Sequence, residues 1–199
     1  NRGRDRGVAR SQGMRRGPGR GNIKNYIERK CKEILKRIGI KEGQIVLDFG
    51  CGVGNYTIPA AKIVGNKGKI YAFDESKSKL KELSQKAKSV GLKNIKRIET
   101  SGELNFGLED KSVDVVLLYD IFWYFPLRDP KLSELLKEVY RVSKANALIS
   151  VYPEHIETEK LKHEIEKAGF FLQNRFSGEI VHEGEPEKSQ ILNFRKKEK

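Results

Sequence analysis

The sequence is short of the features that staple small extracellular domains together. Its 199 residues include two cysteines, Cys31 and Cys51, outside any CxxC pair, and three histidines. That argues against a disulfide framework, offers no His/Cys cluster for zinc, and suits a reducing compartment. No apolar run approaches the ~20 residues that a membrane helix needs. The N-terminus carries arginines but no apolar stretch behind them, so it does not read as a secretory signal. Acidic residues are scarce too: 27 against 40 Lys and Arg, a formal net charge of +13. Hydrophobic residues are 37%, polar for a globular protein but well short of disorder. The expectation is one soluble, cytoplasmic domain.

The charge is unevenly spread. Residues 1–21 hold seven Arg, six Gly, one Asp and no Lys, whereas the rest of the chain prefers Lys to Arg by 26 to 7. The one methionine, Met14, lies inside that first segment. Residues 1–21 are therefore expected to be an Arg/Gly-rich disordered arm, with 1–13 a remnant of expression, and residues 22–199 the folded domain. The functional alternative is an arm that holds nucleic acid through phosphate charge.

From Asn22 onward, helical and extended patterns alternate. A helix is expected over Asn22–Ile38, with Ile27, Cys31, Ile34, Leu35 and Ile38 on one face. Apolar strands over Ile45–Phe49, Lys69–Phe73, Ile95–Glu99, Val113–Tyr119 and Ala147–Tyr152 follow. Helices over Tyr56–Val64, Ser76–Val90, Pro130–Val142 and Glu157–Ala168 separate or follow them, with Ser76 as a cap and Pro130 in a first turn. The last two strands, Phe170–Phe176 and Gln190–Phe194, have no helix between them and should pair antiparallel around a loop. This is the pattern of an open, doubly wound α/β sheet, in which ligands sit at the carboxyl ends of the strands.

The turn after the first strand reads Asp48-Phe49-Gly50-Cys51-Gly52-Val53-Gly54-Asn55. Alternate glycines let the backbone turn sharply and let a ligand approach it closely. Asp48 discriminates between ligands, because an anion at this turn repels a pyrophosphate and attracts a cationic group. A dinucleotide fingerprint would also need glycine where Asn55 stands. With Asp74 closing the second strand, the pattern resembles the class I S-adenosylmethionine-dependent methyltransferases, over Asn22 to Arg195.

That resemblance implies a seven-stranded Rossmann-like sheet in the order 3-2-1-4-5-7-6 with the last strand antiparallel. It implies S-adenosylmethionine as cofactor and S-adenosylhomocysteine as product. Gly50, Gly52, Gly54 and Asn55 would face the amino-acid end of the cofactor, with Asp48 helping to hold its ammonium group. Asp74 would accept hydrogen bonds from the two ribose hydroxyls, since two acceptor oxygens match two vicinal donors; its plainer reading is a turn or helix-capping residue. Ser101, followed by Gly102, stands where the family usually has an acid for the adenine amino group. Phe73, the stem of Glu75 and Leu104 are candidates for the wall against the adenine face.

The acceptor side is expected in the loops after strands four and five. After strand four comes Tyr119-Asp120-Ile121-Phe122-Trp123-Tyr124-Phe125-Pro126, which lacks the Asn/Asp-Pro-Pro-Tyr/Phe motif of many amide and nucleobase methyltransferases. Tyr119 and Trp123 are the candidates there, with Phe122 and Phe125 packing beneath the next helix. After strand five, His155 is a candidate general base, or else a surface residue. His163 and His182 are expected to be surface residues, His182 in the last loop, and no metal is expected unless the acceptor is a catechol-like diol. The chain has no separate substrate domain, so the lid is the N-terminal helix or a second subunit of a homodimer, or the acceptor is large. A small-molecule acceptor is favoured over RNA, with no membrane partner. A non-catalytic cofactor-binding module is the reading from another class.

Overall fold

A computed structural model describes residues 20–182 and 185–197. The expected arm therefore lies outside the described residues except for Arg20 and Gly21, which open the first helix. The elements run α1 (Arg20–Ile38), β1 (Ile45–Phe49), α2 (Thr57–Val64), β2 (Lys69–Asp74), α3 (Lys77–Ser89), β3 (Ile95–Glu99) and β4 (Val113–Tyr119). They continue with α4 (Pro130–Val142), β5 (Ser143–Tyr152), α5 (Thr158–Lys167), β6 (Phe170–His182) and β7 (Glu185–Lys196). The helix starts are set by local chemistry. Ser76 Oγ accepts from the Lys79 N–H, and Asp129 accepts from the Lys131 N–H ahead of Pro130 in the first turn of α4.

The sheet order is β3-β2-β1-β4-β5-β7-β6. Strands β1 to β5 pair in parallel, and β7 is antiparallel to both β5 and β6, so β6 runs parallel to β5. Strand order reverses between β1 and β4, which places the ligand crevice at their carboxyl ends.

Successive strand residues feed opposite faces. Val46, Ile70, Val115, Leu117 and Leu148 pack with Cys31, Leu35 and Ile38 of α1 and Ala60, Ala61 and Val64 of α2. Leu47, Val116, Leu118, Ile149 and Val151 pack on the other face, with Leu132, Leu135, Leu136 and Val139 of α4 and Leu161 and Ile165 of α5. Both faces being covered explains why the strands read as continuous apolar runs.

Beyond shifts of a residue or two at element ends, two regions differ from expectation. Strand β5 starts at Ser143 rather than Ala147, because the β4–β5 ladder shifts register between Val113 and Val115 and pairs Val113 with Ser143. The last two strands are far longer than expected. Most of the supposed loop is paired strand, with His182 opposite Glu185. Its residues alternate poorly, so nothing local marks them as strand. Tertiary contacts hold the extension instead. The Val181 N–H donates to Tyr56 Oη (3.0 Å), Lys30 pairs with Glu179 (2.7 Å), and the Arg37 guanidinium stacks 3.9 Å over the Phe176 ring. The β5–β7 pairing stops at Val151–Leu192, so the hairpin projects past the carboxyl end of β5.

Candidate active site

A cleft of about 1200 Å³ opens over the carboxyl ends of β1, β2, β4 and β5. The glycine turn forms its floor. The N–H groups of Gly50 and Cys51 both donate to the Phe73 carbonyl at 2.8 Å, which ties the turn to the end of β2. The Gly52 N–H donates to Asp74 Oδ2 (2.7 Å), and the Ser76 N–H donates to Asp74 Oδ1 (2.9 Å). Asp74 thus serves as a turn residue, as its plainer reading had it, yet each of its oxygens keeps a lone pair. Gly50 has φ +77, and a Cβ there would stand 2.5 Å from Ile121 Cγ2. Gly54 has φ +89, and a Cβ there would run into the Leu83 side chain. A Cβ on Gly52 would meet nothing within 4 Å.

Asp48 lies beneath this turn, only 3% exposed, with Oδ2 accepting from the Thr57 hydroxyl at 2.6 Å. Burial pushes its carboxyl up to about 6; the Thr57 hydrogen bond pulls it down and the charge of Asp74 pushes it further up. Cys51 is buried in the turn, and its thiol is raised by burial, which fits a packing residue. Cys31 of α1 is likewise buried, its thiol pushed up to about 12 by burial.

The other expected residues sort as follows. Asn55 and Glu75 line the cleft, and Phe73 and Leu104 supply apolar wall. Ser101 is exposed and lies outside the lining, whereas Thr100, Gly102, Glu103 and Leu104 are part of it. Gly102, the next residue, has φ +92. Beneath this loop α4 acts as an anchor. Glu138 accepts from the Phe106 N–H (2.9 Å) and from Arg141 (2.6 Å), and Arg141 donates to the Leu108 carbonyl (2.9 Å).

Tyr119 lines the cleft with its ring, but its hydroxyl turns into the sheet. It bonds Ser150 Oγ (2.7 Å), which donates to Asn193 Oδ1 (2.8 Å). Burial raises the phenol further above its ordinary range. In this arrangement the Tyr119 hydroxyl is engaged within the sheet, and the residue meets the cleft as part of its wall. Phe122 and Phe125 are buried as expected, while Trp123 is 70% exposed at the cleft rim with its ring 5.4 Å from that of His155.

Sequence reasoning missed His182 and Asp120, and α1, one of the lids the sequence offered, also lines the cleft. His182 ends a strand and reaches the cleft, 2.9 Å from Asp120, because the hairpin extends where a loop was expected. Asp120 itself sits at the end of β4 with φ +57, and it too lines the cleft. From α1 come Lys24, Asn25, Ile27 and Glu28. The Lys-rich helix α3 also contributes Lys79 and Lys86 to the wall, the latter donating to the Val53 carbonyl (3.2 Å).

A glycine-floored crevice at the switch point, with a carboxylate on each of the first two strands, defines a methyltransferase-type site. A family model described as a methyltransferase domain matches residues 40–198, and the chain belongs to that family. The demethylmenaquinone methyltransferase of Geobacillus stearothermophilus is 35% identical over 118 residues, 59% of this chain and 48% of that protein. Its Lactobacillus johnsonii counterpart is 29% identical over 140 residues, 70% of this chain and 54% of that protein. The chain spans about half the length of these curated relatives. A SAM-dependent methyltransferase from Aquifex aeolicus aligns with TM-score 0.64 at 24% identity, covering 86% of this chain and 97% of that one. Another from Methanosarcina mazei aligns with TM-score 0.65 at 16% identity, covering 82% and 96%. Both share the seven-stranded fold. The family's methyl donor is S-adenosylmethionine, and the cleft fits it: Asp48 suits an ammonium group, Asp74 retains acceptor capacity for hydroxyls, and the open side of Gly52 admits close approach.

Proposed function

We propose that the chain transfers a methyl group from S-adenosylmethionine to a small-molecule acceptor, in the cytoplasm. The observation that carries the small-molecule reading is α1. Its residues Lys24, Ile27 and Glu28 wall the cleft, which supports a lid supplied by the chain itself. The volume, about 1200 Å³, exceeds the ~300–1,000 Å³ of common ligand pockets and suits two molecules side by side. The relatives named for demethylmenaquinone methylation support the same class. Two buried, free thiols suit a reducing compartment.

When bound, the cofactor supplies an electrophilic methyl on a sulfonium. The chain supplies position and exclusion of water. Asp48, ionised above about pH 6, attracts the ammonium group through the glycine turn. Asp74 takes the ribose hydroxyls while its bonds to Gly52 and Ser76 hold it still. Phe73 and Leu104 present apolar surface to the base, with Glu75 and Gly102 around it, and Asn55 stands with the glycine turn toward the amino-acid end. Trp123 and His155 stand at the acceptor rim. The test uses methyl-labelled S-adenosylmethionine with the protein and a cell extract divided into RNA, protein and small-molecule fractions. Label in the small-molecule fraction is expected. Label confined to RNA would overturn the acceptor class, and none anywhere, with cofactor binding intact, would favour a non-catalytic module.

A further inference from the structure

Three strands that end at one edge of the sheet each deliver a metal-ligating side chain to the same place. Asp120 follows β4 directly, His155 lies in the loop after β5, and His182 ends β6. One ligand atom from each lies within 4.8 Å of the others, and all three residues line the cleft beside Trp123. We propose that Asp120, His155 and His182 form a binding site for a divalent first-row transition-metal ion at the acceptor end of the cleft.

Four observations point this way. Nδ1 of His182 is buried and 2.9 Å from Asp120 Oδ2, yet it has no hydrogen-bond partner, so the two atoms lie close without the alignment of an N–H···O bond. Two ligands on one ion with bonds of about 2.1 Å stand about 3 Å apart at right angles and about 3.4 Å apart in a tetrahedron, so the His182–Asp120 spacing is near what an ion needs. Ligand atoms spaced up to 4.8 Å must close to within about 4.2 Å. Asp120 and His155 both adopt the left-handed region, φ +57 and +60, a cost for non-glycine residues that concentrates at functional sites. The imidazoles are also held by ring contacts, His155 to Trp123 at 5.4 Å and His182 to Tyr152 at 6.2 Å.

Two imidazoles and one carboxylate form the ligand set that suits zinc or ferrous iron and leaves open positions on the ion. Because the three residues line the cleft, an ion they held would be open to an oxygen of the acceptor. The site therefore selects an acceptor bearing a hydroxyl or an enolisable carbonyl beside the methylated atom; this acceptor class, though not the metal site, rests on the methyltransferase reading. The expectation from sequence that no metal is involved is replaced by this proposal, because the three ligands come together only through strand order and the extended hairpin.

The full chain, stripped with EDTA, is titrated with Co²⁺ by visible absorption and with Zn²⁺ by calorimetry. One equivalent should bind, with a ligand-field spectrum from Co²⁺. His155→Ala, His182→Ala and Asp120→Asn should each weaken uptake at least tenfold, and His163→Ala, on the exposed side of α5, should not. His155 is exposed, so its removal reports binding and not folding. No saturable uptake, or uptake indifferent to the three substitutions, would overturn the site. S-adenosylhomocysteine binding is measured on the same samples. Metal uptake without it would overturn the methyltransferase reading and leave the metal site standing; the converse would do the reverse.

Discussion

Asp48 and Asp74 are both carboxylates at strand ends, but their surroundings give them different work. Asp74 is half-buried and engaged by two backbone N–H groups, so it orders the glycine turn and keeps acceptor capacity for a ligand. Replacing it with alanine removes both functions. Asp74→Ala should weaken S-adenosylhomocysteine binding at least tenfold, about 1.4 kcal/mol, by calorimetry. Asp48 is buried, and its carboxyl, ordinarily near 3.8, sits at about 6. The ionised form opposes folding, so this cost is absent below 3.8, grows between 3.8 and about 6, and is fully present above that. Attraction for an ammonium group grows over the same rise. Affinity for S-adenosylhomocysteine should therefore fall as pH is lowered from 7 to 5, and Asp48→Asn, which keeps an acceptor for Thr57, should flatten that component of the profile. Removing the donor instead, with Thr57→Val, should destabilise the protein by about 1–3 kcal/mol at pH 7, because a buried carboxylate loses its partner.

The element that most shapes the site is the β6–β7 hairpin. Its projection past β5 brings His182 to the cleft, and contacts with α1 and α2 hold it there. Tyr56 is the pin. Its hydroxyl accepts the buried Val181 N–H, and its ring packs edge-on against Tyr119 at 4.8 Å. Tyr56→Phe keeps the ring and orphans the N–H. It should lower stability by about 1–3 kcal/mol in chemical denaturation and speed amide exchange at Val181. The glycine turn is the other element with little tolerance. A side chain on Gly54 meets Leu83 and is forced to φ +89, so Gly54→Ala should cost more than the ~1–2 kcal/mol of left-handed strain alone.

For the molecule as a whole, acid should be destabilising through a few hydrogen-bonded glutamates. Glu138 is held below its ordinary 4.5 chiefly by its hydrogen bonds from Arg141. Glu159 beside Arg175 and Glu179 beside Lys30 shift the same way, also chiefly through those hydrogen bonds. A depressed carboxylate contributes stability above its unfolded value and loses it as pH falls through the folded one. Melting temperature should therefore drop below about pH 4.5, and Glu138→Gln should lower it at pH 7 while making the acid drop shallower. The same substitution loosens the anchor beneath Leu104 and Phe106, so it tests whether the loop after β3 is held from α4.

Much of this architecture is readable along the chain because its determinants are local. Apolar runs mark the buried strands, α4 begins at Pro130 behind the Asp129 cap, and the glycine turn with Asp48 lies within one short segment. Strand alternation with helices then restricts the topology, which is why the doubly wound sheet and the two carboxylate ends could be placed. Residues whose positions depend on distant partners were not legible. His182 sits in a polar segment that becomes strand only because Tyr56, Lys30 and Arg37 hold it. Tyr119 faces the cleft, yet its hydroxyl is taken by Ser150, whose position no spacing along the sequence reveals. The convergence of Asp120, His155 and His182 belongs to the same category. Periodicity encodes which face of an element is buried; it does not encode which side chains from separate strand ends meet, because that depends on strand order, register and how far a hairpin extends.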